Sequence, residues 1–212
     1  MSICYIVGAG PYSGEPFHPS PDDFVIAADG GYAFLTKHSI RCDLLVGDFD
    51  SMPDPGFANT IKLNPVKDDT DTVYAVKEAL SRGYDDFRIY GALGGRFDQS
   101  IASVQTLSYI VNAGARGYLL GDGFAASVIR NSRLDFRAGL DGFFSVFSLS
   151  DESKGVFIEG AKYPLQDAVL TNTFPLGVSN EFLGEKASVS VCEGELLILF
   201  NCEKLEKAVY QC

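Results

Sequence analysis

The carboxylates of Asp48 and Asp50, in the turn Val46-Gly47-Asp48-Phe49-Asp50-Ser51, and of the later group Asp68-Asp69-Thr70-Asp71 have the types and spacing to grip a divalent cation. Seven aspartates lie from Asp43 to Asp71 against two cations, Lys62 and Lys67. Gathered at one site, these acids would repel one another unless a cation were bound, and hard carboxylate oxygens suit Mg²⁺. The chemistry expected is therefore that of a magnesium-dependent phosphate site.

A third group is Gly91-Ala92-Leu93-Gly94-Gly95-Arg96-Phe97-Asp98-Gln99. Its glycines let backbone approach an anion, a helix beginning there would present free N–H groups, and Arg96 can bind phosphate oxygens bidentately. It is not a Walker A loop, for no G-x-x-x-x-G-K-[ST] occurs. Near the start, Gly8-Ala9-Gly10-Pro11 fits a dinucleotide fingerprint poorly. Ser13 takes the third glycine's place, and prolines 11, 16, 19 and 21 disfavour a following helix, so a plain strand-to-loop turn and a phosphate contact both remain open.

These groups must be positioned by the elements that carry them. Residues 3–7, 24–28, 44–46, 60–63, 87–90 and 118–120 read as short buried strands. Helical periodicity follows three of them: after Asp29-Gly30-Gly31, with Tyr32, Phe34 and Leu35 apolar; over 72–81, with Val73, Val76 and Leu80 on one face; and after Gln99, with Ile101, Val104, Leu107 and Val111 buried. That alternation predicts a mainly parallel, doubly wound α/β sheet over residues 1–130. Ligands gather at the carboxyl edge of such a sheet, where Asp29, Asp48 and the Arg96 turn would converge. Asp29 could instead cap its helix, and Asp69 or Thr70 could cap the helix over 72–81.

After about residue 130 the pattern changes to short strand candidates at 143–149, 155–158, 168–171, 187–191 and 196–200, separated by turn residues. Residues 131–212 are expected to form a small all-β sandwich, with Phe143, Phe144 and Phe147 in its core. His38 would offset a helix dipole and His18 lies in a proline-rich loop.

With 46% hydrophobic and 21% charged residues in 212, the chain has the composition of an ordinary globular protein. A net charge of -11 argues against nucleic acid or an anionic membrane as partner. The first cation is Lys37 and no apolar run is long enough to span a bilayer, so a cytoplasmic location is expected. Five widely spaced cysteines fit reduced thiols, mostly buried, better than a disulfide framework.

Taken together, Ala28-Asp29-Gly30-Gly31, Gly47-Asp48-Phe49-Asp50-Ser51, Lys67-Asp68-Asp69-Thr70-Asp71, Gly94-Gly95-Arg96-Phe97-Asp98 and Gly177-Val178-Ser179-Asn180 resemble the thiamine pyrophosphokinase family, in its motif order. The resemblance implies a Rossmann-like catalytic domain followed by a β-sandwich, and transfer of the diphosphate of ATP to the hydroxyethyl group of thiamine, with AMP leaving. It implies Asp48, Asp50 and Asp71 as Mg²⁺ ligands with Asp68 alongside. Arg96, Asp98 and Gln99 fall in the nucleotide segment, and Asp29, Ser51 and Thr70 in neighbouring pocket positions. Ser179 and Asn180 match contacts to the thiamine pyrimidine, and Tyr163 stands near a stacking position that some members give to tryptophan. A homodimer with the active site at the subunit interface is implied too. Asp71 and Asp98 are the candidates for removing the hydroxyl proton, with Arg96 supplying positive charge. Gln99 departs from the histidine of many bacterial members, and the chain has no tryptophan.

Asp48-Phe49-Asp50 also fits the D-x-D metal motif of glycosyltransferases, which leaves the arginine turn and the Ser-Asn pair unexplained. A pyrophosphokinase with a pterin acceptor and a non-catalytic nucleotide or thiamine sensor are the other readings.

Overall fold

The computed structural model describes residues 2–50, 53, 55–64, 66, 68–203 and 205–209. The chain divides into two units, residues 1–122 and 123–212.

The first unit is a parallel sheet of β1 (Cys4–Val7), β2 (Phe24–Ala28), β3 (Leu44–Gly47), β4 (Thr60–Lys62), β5 (Asp86–Tyr90) and β6 (Arg116–Leu120), in the order β6-β5-β1-β2-β3-β4. Strand order reverses between β1 and β5. All four residues of β1 and all five of β5 are buried, which is why these central strands read as continuous apolar or clamped runs rather than alternating ones. The two charges in β5 are compensated: Asp86 pairs with Arg88 and, at 2.8 Å, with Arg116. No helix intervenes between β1 and β2, as the prolines require.

Helices α1 (Gly31–Lys37), α2 (Asp71–Ser81) and α3 (Phe97–Asn112) follow β2, β4 and β5. Two of their buried faces differ from the periodicity. α2 buries Ala75, Val76 and Ala79, while Val73 and Leu80 are half-exposed, because alanines let the helix approach the sheet closely. α3 buries Ser103, Thr106, Leu107 and Ile110 and leaves Ile101 48% exposed. Its orientation follows from Gly117 of β6: a Cβ there would stand 3.0 Å from Ile110 and 3.1 Å from Leu107, so the helix seats where the strand has no side chain. The inward Ser103 hydroxyl is satisfied by carbonyls of Ala92 and Gln99.

The second unit is built of β-strands, with one short helix, α4 (Leu205–Ala208), after them. One antiparallel sheet has the order β12-β9-β14-β7, from β7 (Phe124–Arg130), β9 (Phe143–Ser148), β12 (Gly177–Glu181) and β14 (Glu195–Asn201). The other has the order β11-β10-β13-β8, from β8 (Arg133–Phe136), β10 (Glu152–Glu159), β11 (Leu165–Thr171) and β13 (Ala187–Glu193). Phe136 of the second sheet meets Phe144 and Phe200 of the first at ring-centroid distances of 6.1 and 5.1 Å, forming an aromatic core. Period 2 decides which phenylalanines enter it. Phe144, Val146 and Ser148 point inward, so Phe143 is 56% exposed and Phe147 half-buried, contrary to the expectation for all three aromatics.

In the second unit β7 pairs along its whole length with β14. Among the described cysteines, all free, Cys4 and Cys202 are buried, Cys42 is half-buried and Cys192 exposed. No helix among the described residues is long and apolar enough to cross a membrane.

Candidate active site

Because β1 to β6 run parallel, the turns after them open on one edge of the sheet. Close backbone contacts link those turns. Asp29 follows β2 with φ +47° and donates its N–H to the Val46 carbonyl at 2.7 Å. A Cβ on Gly47 would stand 3.2 Å from the Asp29 Cα, so a side chain there would crowd the close approach of the Asp48 turn to Asp29. Asp29 is 8% exposed and stands directly before Gly30, the N-cap residue of α1.

Beyond Gly47 the chain turns sharply. Asp48 is half-buried and accepts the Asp50 N–H at 3.2 Å, while Phe49 takes φ +58°, costly for a bulky residue. The turn is thus fixed by its own first carboxylate, and Asp50 is exposed. Ser51 lies outside the described residues.

Asp68 is exposed in the loop before α2. Thr70 is the N-cap, its hydroxyl oxygen accepting the Val73 N–H at 3.2 Å, and Asp71 opens the helix, half-buried. Asp69 pairs with Lys77 at 2.7 Å and so is engaged away from the other acids. Asp68 therefore does not share a helical face with Asp71, because the helix begins after it.

The Arg96 turn packs over the first loop. Gly10 donates to the Gly91 carbonyl at 2.7 Å, and Cβ atoms on Gly94 and Gly95 would stand 3.3 and 3.4 Å from Pro11. Ser100 accepts the Gly94 N–H at 3.1 Å. Arg96, Asp98 and Gln99 are exposed at the start of α3, and Arg96 holds Asp98 at 2.6 Å. That hydrogen bond keeps the Asp98 carboxyl below the usual carboxylate range. A guanidinium that leaves Asp98 for a phosphate returns basicity to it, so Arg96 and Asp98 are chemically coupled.

Sequence patterns gave no sign of Asp122, just after β6. Its Oδ1 accepts the N–H groups of Ser13 and Gly14, each at 2.9 Å, and its Oδ2 accepts the Ser13 hydroxyl at 2.6 Å. The pair is separated by 109 residues, beyond any local signal.

The donor chemistry of Asp48, Asp50, Asp68 and Asp71 fits Mg²⁺, being carboxylate oxygen alone. Among the described residues no group of three or more acids, histidines or cysteines is close enough to hold a metal unaided. A nucleotide-bound Mg²⁺ needs only one or two carboxylates, since phosphates and water complete its shell.

In the second unit, Tyr163, Ser179 and Asn180 are brought together. Asn180, 3% exposed, accepts the Tyr163 N–H through Oδ1 at 3.0 Å and donates to the Tyr163 carbonyl through Nδ2 at 2.7 Å. Ser179 is exposed with φ +59°, its N–H bound to the Ser145 hydroxyl at 3.1 Å. Both lie on β12, beside a register shift between Gly177 and Asn180.

Two family models decide what this arrangement is. The one described as thiamin pyrophosphokinase, catalytic domain, matches residues 20–119, and the one described as thiamin pyrophosphokinase, vitamin B1 binding domain, matches residues 132–196. The chain belongs to the thiamine pyrophosphokinase family. Among relatives, the thiamine pyrophosphokinase of Bacillus subtilis (strain 168) is 26% identical over 182 residues, covering 82% of this chain and 85% of its own. The crystal structure of thiamine pyrophosphokinase from Bacillus subtilis has a TM-score of 0.86 at 23% identity, covering 96% of this chain and 100% of that one. That of thiamin pyrophosphokinase from Geobacillus thermodenitrificans has a TM-score of 0.82 at 24% identity, covering 94% and 97%. At these identities the structures speak for the fold, while the two matched models carry the family. As a thiamine pyrophosphokinase family member the chain is an enzyme, a transferase that takes ATP as a substrate, with its catalytic half in the α/β unit and its vitamin B1 binding half in the second unit.

Proposed function

We propose that this chain transfers the diphosphate of ATP to the hydroxyethyl oxygen of thiamine, through the residues gathered at the carboxyl edge of its parallel sheet. The observation that carries the reading is the match of both domain models to the two units that hold the acidic turns and the Tyr163-Asn180 pair. A Rossmann-like, doubly wound sheet belongs to the same reading. Right-handed crossovers put α1, moving toward β3, and α2, returning to β5, on opposite faces, and the strand order reverses at β1/β5 where ligands collect.

In this reading Asp48, Asp50 and Asp71, with Asp68 alongside, would hold Mg²⁺. The ion supplies charge neutralisation on the phosphates. Arg96 leaves Asp98 for phosphate oxygens, Gln99 and Thr70 flank the nucleotide, and Asp29 and Ser51 complete the pocket wall. The thiamine hydroxyl oxygen bonds to the β-phosphorus as the bond from that phosphorus to the bridging oxygen of AMP breaks. The hydroxyl proton passes to Asp71 or to the Asp98 that Arg96 has released. Tyr163 stacks on thiamine while Ser179 and Asn180 define the polar side of its site. A cytoplasmic homodimer with its active site at the subunit interface completes the proposal.

The test is to incubate the chain with ATP, Mg²⁺ and thiamine and identify both products, with a parallel sample in excess chelator. AMP with thiamine diphosphate, abolished by chelator, is the expected result. ADP with thiamine monophosphate would mean an ordinary kinase, and no product despite ATP binding would mean another acceptor or a sensor. Asp48→Ala and Asp71→Ala should each remove turnover with the fold intact; activity retained in both would sink the metal assignment.

A further inference from the structure

Residues 8–14, which follow β1 at the carboxyl edge of the parallel sheet, commit their amide hydrogens within the protein. Gly8 donates to the Tyr90 carbonyl at 2.8 Å and Gly10 to that of Gly91 at 2.7 Å, while Ser13 and Gly14 each donate to Asp122 Oδ1 at 2.9 Å. Pro11 has no N–H to give. This commitment argues against a phosphate cradle, the role in which a glycine turn offers its amides to an anion.

What the loop touches instead is the turn that leads into Arg96. Gly10 and Gly91 meet without side chains: a Cβ on Gly10 would stand 2.6 Å from the Gly91 oxygen, and one on Gly91 would stand 2.5 Å from the Gly8 oxygen. Farther along, the Pro11 ring lies against the backbone of Gly94 and Gly95, where Cβ atoms would stand 3.3 Å from its Cγ and 3.4 Å from its Cδ. Gly94 and Gly95 have φ of +79° and +63°, so the two residues before Arg96 carry the largest backbone freedom a chain can have. A turn with that freedom aims its arginine only where something holds it.

The loop can hold it because it is fixed on both sides of Pro11. Before Pro11 it is bonded to the end of β5 through Gly8 and Gly10. After it, the Tyr12 ring sets an edge contact on Tyr90 at 5.1 Å and on Phe34 at 5.6 Å. Asp122 then takes the two amides and, at 2.6 Å, the Ser13 hydroxyl.

We infer that residues 8–14 are a buttress for Arg96, with Pro11 and Asp122 as positioning residues. Pro11 backs the glycine turn, and Asp122 fixes the loop that carries Pro11, so that the guanidinium is presented to the phosphate oxygens of the nucleotide. The inference rests on the function proposed above, in which Arg96 binds those oxygens. A loop that bound ATP by itself would contribute whether or not Arg96 were present.

A double-mutant cycle on the full-length chain separates the two, read as the dissociation constant of ATP with Mg²⁺ by titration calorimetry. Asp122→Ala should weaken ATP binding about fivefold, the weight of one net hydrogen bond, and Asp122→Asn, which keeps an acceptor for the two amides, should recover most of it. Pro11→Gly should weaken binding too. In an Arg96→Ala chain neither change should weaken it further. If the factors multiply there, or if Asp122→Ala leaves ATP binding as it is in the wild type, the inference is overturned. Should Asp122→Ala fail to fold, Pro11→Gly carries the same cycle. Wild-type chain that binds no ATP would overturn the functional reading and this inference with it. Wild-type chain that makes thiamine diphosphate while the factors multiply would overturn the inference alone.

Discussion

Gly31 lies directly under the Val7 carbonyl: a Cβ placed on Gly31 would stand 1.8 Å from the Val7 oxygen and 2.5 Å from its carbon. The end of β1 and the start of α1 can approach this closely only because the helix opens without a side chain. Gly31→Ala should therefore cost about 3 kcal/mol of stability, the upper range for overpacking, read as a lower urea midpoint. Gly30→Ala, whose Cβ would meet Ala9, with the methyl at 3.0 Å and the Cα at 3.6 Å, should cost less. Equal midpoints for the two variants would contradict the packing described.

The Asp122 clamp leads to a pH prediction. Its carboxyl is held below the usual carboxylate range, first by the Ser13 hydroxyl and then by the N–H groups of Ser13 and Gly14. A carboxylate with a depressed folded value contributes above its unfolded value and loses that contribution as pH falls through the folded one. The Ser13 and Gly14 amides should thus exchange faster as pH drops below about 4, after correction for intrinsic rates. Asp122→Ala should give the same loosening at neutral pH and raise the KM for ATP about fivefold, through the glycine loop that packs under the Arg96 turn. Unchanged exchange at both amides would show that the clamp does not hold the loop.

Thr70 has a measurable structural role whatever it does for the nucleotide. Thr70→Ala removes the cap from α2 and should destabilise the chain by about 1 kcal/mol, while Thr70→Ser should recover most of it. If Thr70 also flanks ATP, the alanine variant raises the KM for ATP and serine restores it. A shift in stability with no shift in that KM would confine Thr70 to capping.

Thiol reactivity should follow burial. Desolvation pushes Cys42 up to about 11 and Cys202 up to about 12, and raises Cys4 as well, so at pH 8 each is overwhelmingly the unreactive thiol. Among the described cysteines, exposed Cys192 should be alkylated first in the folded chain, as read by peptide mass mapping. Labelling of Cys42 before Cys192 would contradict this order.

What the sequence determined by itself was local. Strand runs at 24–28 and 87–90, the helix ending at Arg82-Gly83 and the change to β structure after the α/β half all follow from periodicity and turn chemistry, which act over a few residues. The motifs around Asp29, Asp48 and Arg96 were legible for the same reason, since each is a short turn after a strand, and that around Asp71 because it opens a helix. What only the tertiary structure decided were partners far apart in the chain. Which face α3 buries depends on the bare Gly117 of β6, and the outward turn of Phe143 on its neighbour Phe144 taking the inward position opposite Phe200 of β14. Asp122 on Ser13 and Asn180 on Tyr163 are contacts across 109 and 17 residues. An aspartate or asparagine carries no mark of which distant N–H it will accept, because that choice is made by the packing that brings the two strands' ends together.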